Sequence, residues 1–170
     1  MCGACGSVTD WATPLVSGPR RREDVARFLT RAGHGVRVTG GPHGWTVTGQ
    51  TGATTVRPTL EGVVTAVAGS VPAGSWAEVE QLLEMHEGRA QGYDDPYPDA
   101  VPRLPRAPAG APAVLRCGPG GRLHLRLTAF LLGLRVIPDA GVVTLAVTSR
   151  HARFTLVGGG GTGLTVVDAG

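Results

Sequence analysis

Apolar residues recur at helical spacing in two early places. Val25, Phe28, Leu29 and Ala32 share one face of a helix that opens at Pro19 and stops at Gly33 or Gly35. Proline suits the first turn, where its missing N–H costs no hydrogen bond. Trp76, Val79, Leu83 and His86 make a second stripe, behind Ser75 and Glu78. Those two residues form a capping box, in which a hydroxyl and a carboxylate each satisfy a backbone N–H. Between the stripes the pattern changes to short runs rich in Val and Thr, over 36–39, 45–48 and 53–57, separated by glycine-rich turns. Thr59 is placed to cap a short helix that ends near Ala68. Farther on, Leu123, Leu127, Phe130, Leu131 and Leu134 line one face of another helix, and strand-like runs follow over 142–148, 153–157 and 164–167.

These elements predict an α+β protein of two small units, each a helix with a three-stranded antiparallel sheet. Residues 1–88 form the first unit, 89–113 a linker and 114–170 the second. The linker holds Pro96, Pro98, Pro102, Pro105, Pro108 and Pro112, so neither a helix nor a ladder persists there. Tyr93 and Tyr97 are expected to pin it to the surface of a domain, with a partner-docking motif as the alternative. The units also read as copies of one another. Val36-Arg-Val-Thr39 parallels Leu145-Ala-Val-Thr148, and Thr51-Gly-Ala-Thr54 parallels Thr162-Gly-Leu-Thr165. A duplication predicts pseudo-twofold packing of two three-stranded sheets, with edge-to-edge joining as one arrangement; chance similarity of Gly/Thr/Val-rich hairpins is the alternative.

Composition narrows the class. With 42% hydrophobic and 17% charged residues, the 170-residue chain has material for a core and too little charge for a disordered polymer. Its formal net charge of +3 does not by itself argue for nucleic acid. No apolar run reaches the roughly 18 residues of a membrane span. The start, Met1-Cys-Gly-Ala-Cys5, lacks the charged and apolar regions of a signal peptide. The expectation is a cytoplasmic protein without a membrane partner. No nucleophile elbow, P-loop or zinc-protease motif is present in the sequence.

The sharpest chemical feature is Cys2-Gly-Ala-Cys5-Gly6. Two thiolates at this spacing can hold one metal ion, and the glycines let backbone amides point at the sulfurs. The motif resembles one knuckle of a zinc ribbon. Cys117-Gly-Pro-Gly120-Gly121 is similar to a second knuckle with glycine in place of its second cysteine. His124 could supply a fourth ligand. A Zn2+ site of Cys2, Cys5, Cys117 and His124 would staple the N-terminus to the C-terminal unit. A redox dithiol, a vacant site, or one ion shared by two chains of a homodimer are the alternatives. Arg20, Arg21 and Arg22 stand at the start of the first helix, where a bound anion would offset their clash with the helix dipole. Glu23 and Asp24 can do the same without a ligand.

Two resemblances bear on partners. Residues 45–87, which complete a three-stranded sheet and continue into a helix and a capped helix, resemble the winged-helix peptide-binding modules of peptide-modifying pathways. That resemblance implies capture of a peptide at a sheet edge. The third helix of those modules has no counterpart before the proline linker. Residues 19–68 resemble a double-stranded RNA-binding domain in element order, without its basic second helix. The expected role is a small binding or adaptor protein with a protein or peptide partner and no catalytic activity of its own. The alternatives are a redox-active or zinc-dependent enzyme using Cys2 and Cys5, or a nucleic-acid-binding module.

Overall fold

Helix α1 (Thr13–Val16) follows Asp10, whose carboxylate accepts from the Thr13 hydroxyl at 3.1 Å. Pro19 then opens α2 (Pro19–Ala32), whose apolar face is buried through Val25, Phe28, Leu29 and Ala32. Strands β1 (Arg37–Gly41), β2 (Gly44–Thr48) and β3 (Thr54–Arg57) form an antiparallel meander in the order β1-β2-β3. Gly44, at φ +136°, closes the first hairpin; a Cβ there would run into the backbone of Arg57, so it also fixes where β3 ends. Thr59 caps α3 (Leu60–Ala68) by accepting from Gly62 N–H at 3.0 Å. The capping box forms as read at the start of α4 (Trp76–Glu87). Glu78 accepts from the N–H of Gly74 and Ser75 at 2.6 and 3.1 Å, and its own N–H donates to the Ser75 hydroxyl at 3.3 Å. These bonds, Gly74's foremost, hold the Glu78 carboxyl below its ordinary pKa. The computed structural model describes residues 10–87, 97, 104, 106, 110–148, 153–159 and 162–168.

The second half departs from the expected symmetry. Residues 113–117 form strand β4 (Ala113–Cys117), which pairs in parallel with β5 (Val143–Thr148). Helix α5 (Leu123–Val136) makes the crossover between them. Strands β6 (Arg153–Gly159) and β7 (Thr162–Asp168) extend the sheet antiparallel, giving the order β4-β5-β6-β7. The architecture is α+β, but the sheets have three and four strands, so the symmetric pairing of two three-stranded units is overturned. Matched segments also hold different positions: β1 is an edge strand, whereas β5 lies between β4 and β6. The two sheets are not joined edge to edge.

Helices separate them. Helices α2 and α3 pack on the first sheet, and α5 packs on α2, α3 and α4 on one side and on β4 and β5 on the other. Ten of the fourteen α5 residues are therefore buried, well beyond the leucine stripe. One hydrophobic cluster runs through both halves, from Phe28 and Trp45 to Phe130 and Phe154. No helix among the described residues is long and apolar enough to cross a membrane.

The hydrogen-bond register decides which edges of the first sheet are open. Gly49 N–H donates to Ala53 O at 2.9 Å, which marks that position as a bonded one. Bonded and unbonded pairs alternate in an antiparallel ladder. Thr55 and Arg57, opposite Val47 and Trp45, thus bond to β2, while Thr54 and Val56 turn their N–H and C=O outward. The same alternation turns Val38 and Gly40 of β1 outward, and at Val38 the edge is closed. The Thr30 hydroxyl of α2 accepts from Val38 N–H at 2.8 Å and donates to Val38 O at 3.2 Å.

Candidate functional site

Two arrangements stand out, one sealed and one open. The sealed one links α2 to the first turn of α5. Asp24 and His124 are 2% and 1% exposed, and His124 Nε2 lies 3.2 Å from Asp24 Oδ2. An ionised carboxylate can only accept, so Nε2 carries the ring proton and Nδ1 accepts from the Tyr97 hydroxyl at 2.5 Å. Asp24 also accepts from Arg27 at 2.8 Å and Arg122 at 3.4 Å. Thr128 donates to His124 O at 2.7 Å and holds the turn beneath. The Arg21 guanidinium lies 4.1 Å from the centre of the Tyr97 ring.

Burial governs the protonation of this cluster. It pushes the Tyr97 phenol up to about 12 and the Cys117 thiol up to about 11. Both groups therefore keep their protons at neutral pH, and Cys117 has the character of a core side chain. Burial holds His124 below its ordinary value against the opposing pull of Asp24, and it lowers His86 as well. In the Asp24–His124–Tyr97 row the carboxylate and the imidazole are buried and Tyr97 is partly buried. What the row does in this arrangement is tie the linker at Tyr97 to two helices.

These shifts fix a pH dependence. In the unfolded chain a histidine titrates near pH 6.5, whereas folded His124 and His86 take up protons only at lower pH. Below about pH 6.5 the unfolded state binds more protons, so stability is full above that value and falls as the pH drops. Denaturation midpoints measured from pH 7.5 to 5 are expected to decline, with a slope of at most about 1.4 kcal/mol per pH unit for each histidine. His86 also has both ring nitrogens buried without a hydrogen-bond partner among the described residues, and it packs edge-on to Phe28 with ring centroids 5.8 Å apart. His86→Leu removes two stranded polar atoms and is expected to raise stability by about 1 kcal/mol, read from the urea midpoint.

The open arrangement lies where β3 meets α3. A cleft of about 470 Å³ is lined by Arg57, Thr59, Glu61, Gly62, Thr65, Ala66 and Arg135. Arg57 stands on the core-side face of the sheet, opposite Trp45, and Arg135 sits in the last turn of α5. Both are exposed, and neither makes an ion pair with any described residue. Glu61 accepts from Nε1 of Trp11, just before α1, at 2.8 Å. Beside the cleft, Val56 is 68% exposed, and nothing among the described residues bonds to its outward N–H or C=O. The site thus offers an unsatisfied strand edge, a recess next to it and two cationic groups in the recess.

The sequence-predicted site residues fall as follows. Cys2 and Cys5 lie outside the described residues. Cys117 ends β4, buried, with its thiol 3.8 Å from Gly118 O. His124 is buried against Asp24 and Tyr97, so a metal on either ring nitrogen requires that one of those bonds be given up. Among the described residues no three of His, Cys, Asp and Glu are grouped to hold a metal ion. Arg21 lies over Tyr97, while Arg22 donates to Gly41 O at 3.0 Å and to Pro42 O at the β1–β2 turn. Tyr97 pins the linker as expected, and Tyr93 lies outside the described residues. Arg57 and Asp24 are not legible in the sequence as site residues, and Arg135 reads there only as part of a basic helix face. The one available signal was the Arg57-Pro58-Thr59 junction, where a strand must end beside a capped helix.

In comparisons with known proteins, no family model matches the chain, and neither does any curated protein or solved structure.

Proposed function

We propose that this chain is a protein-binding module that takes an extended segment of a partner onto the open edge of β3. The observation that carries this reading is the contrast between the two edges of the first sheet. At Val38 of β1 the outward N–H and C=O are both bonded by Thr30, whereas at Val56 of β3 nothing among the described residues bonds to them, and that edge borders a cleft. An unpaired edge is a template for one more strand, whose main-chain bonds supply affinity and whose alternate side chains enter neighbouring recesses. A segment paired with β3 would direct every second side chain toward α3, into the space lined by Thr59, Thr65 and Ala66. The resemblance of residues 45–87 to winged-helix peptide-binding modules supports the same mode.

The test is a selection of random peptides of about ten residues displayed on phage, using the full chain as bait. Val56→Pro deletes the outward N–H without touching a β2 bond. The best selected peptide is expected to bind the parent chain and to lose at least about tenfold in affinity on Val56→Pro, with Val56→Thr close to the parent. Binding unchanged by the proline, or no peptide recovered, would overturn the reading.

A further inference from the structure

We infer that the groove beside β3 selects an acidic peptide, seating one Asp or Glu side chain of the added strand between Arg57 and Arg135. This rests on the strand-addition reading and goes beyond it by naming the chemistry of the partner. Arg57 lies on the sheet face that looks into the cleft, and Arg135 reaches the same cleft from the end of α5. Elsewhere the arginines at helix starts are used within the fold: Arg22 on the β1–β2 turn, Arg122 on Asp24 and Arg126 on Glu87 at 2.6 Å. Arg57 and Arg135 have no such internal employment among the described residues. Among the described lining residues the one carboxylate, Glu61, is held by Trp11, so these residues carry an excess of one positive charge. A carboxylate on an alternate position of the incoming strand completes it, and paired guanidinium groups suit carboxylate oxygens geometrically. Thr59 and Thr65 in the same lining add hydroxyl donors.

The probe is the peptide recovered from the selection, made in two forms that differ only by Glu or Gln at one inward position. Recovered sequences are expected to carry Asp or Glu at one of the alternating positions. On the parent chain the Gln form should bind about fivefold more weakly, and on Arg57→Gln/Arg135→Gln the two forms should differ by less than about twofold. Both arginines are exposed, so the double variant keeps the fold. Glu61→Gln retains an acceptor for Trp11 while removing the charge, and it should tighten the Glu form. Equal binding of the two forms to the parent, with Val56→Pro still disruptive, would overturn the acidic preference and leave strand addition standing. Loss of the Val56→Pro effect would remove both. A single-stranded oligonucleotide that displaces the peptide and depends on Arg57 would overturn the peptide assignment in favour of a phosphate site.

Discussion

Asp24→Ala is expected to cost about 3–5 kcal/mol of folding free energy, read as a lowered urea midpoint at unchanged slope. Asp24 is the common acceptor of a buried group: His124 at 3.2 Å, Arg122 at 3.4 Å and Arg27 at 2.8 Å all converge on its two oxygens. Removing the carboxylate strands the His124 ring N–H in the interior and leaves Arg122 without this partner. Arg27 is 59% exposed along its side chain and contributes little to the loss. Tyr97→Phe provides the graded control. It deletes only the donor to Nδ1 and is expected to cost about 1–2 kcal/mol. A change below about 0.5 kcal/mol for Asp24→Ala, the range of ordinary surface substitutions, would mean that the cluster does not hold α2 to α5.

Gly133→Val is expected to cost about 3 kcal/mol, at the upper end of what overpacking does. Gly133 lies inside α5, where glycine by itself weakens a helix. Its place is explained by Trp76 of α4, whose ring occupies the space a side chain would need: a Cβ would sit 2.9 Å from Cε3 and closer still to Cζ3 and Cη2. The same ring stacks on Phe130, with centroids 5.8 Å apart and planes inclined by 25°. A branched side chain at 133 must displace the indole and open the α4–α5 contact. The displacement should appear as a red shift of tryptophan emission together with the fall in midpoint. A Trp76→Ala/Gly133→Val pair should lose much less than the sum of its single changes, because both act on one contact.

Local rules accounted for much of this fold, and long-range contacts for what the sequence concealed. The Ser75–Glu78 box, the Thr59 cap and the β1–β2–β3 meander are set by neighbours within a few residues, and each formed as read. Strand β4 is not legible in the sequence because its pairing with β5 exists only after α5 has crossed back, and because Cys117 reads as the start of a knuckle rather than the end of a strand. The role of α5 was legible in part. Leu125, Ala129 and Leu132 fill the faces outside the leucine stripe, as expected of a helix covered on all sides. Asp24 and His124 stand 100 residues apart, and no periodicity brings them together. The metal knuckle depends on Cys2 and Cys5, which lie outside the described residues. The open edge at Val56 follows from register, a property of paired strands that single-strand composition does not carry.

Amide hydrogen exchange along β3, followed residue by residue by NMR on the full chain with and without the selected peptide, probes strand addition at its own atoms. In the free chain Thr55 and Arg57, bonded to β2, should exchange slowly and Val56 fast. At saturating peptide the Val56 amide should slow by at least about tenfold as its outward N–H gains a partner. A Val56 amide that stays fast while protection builds along β4, β7 or nowhere would contradict peptide capture at this edge.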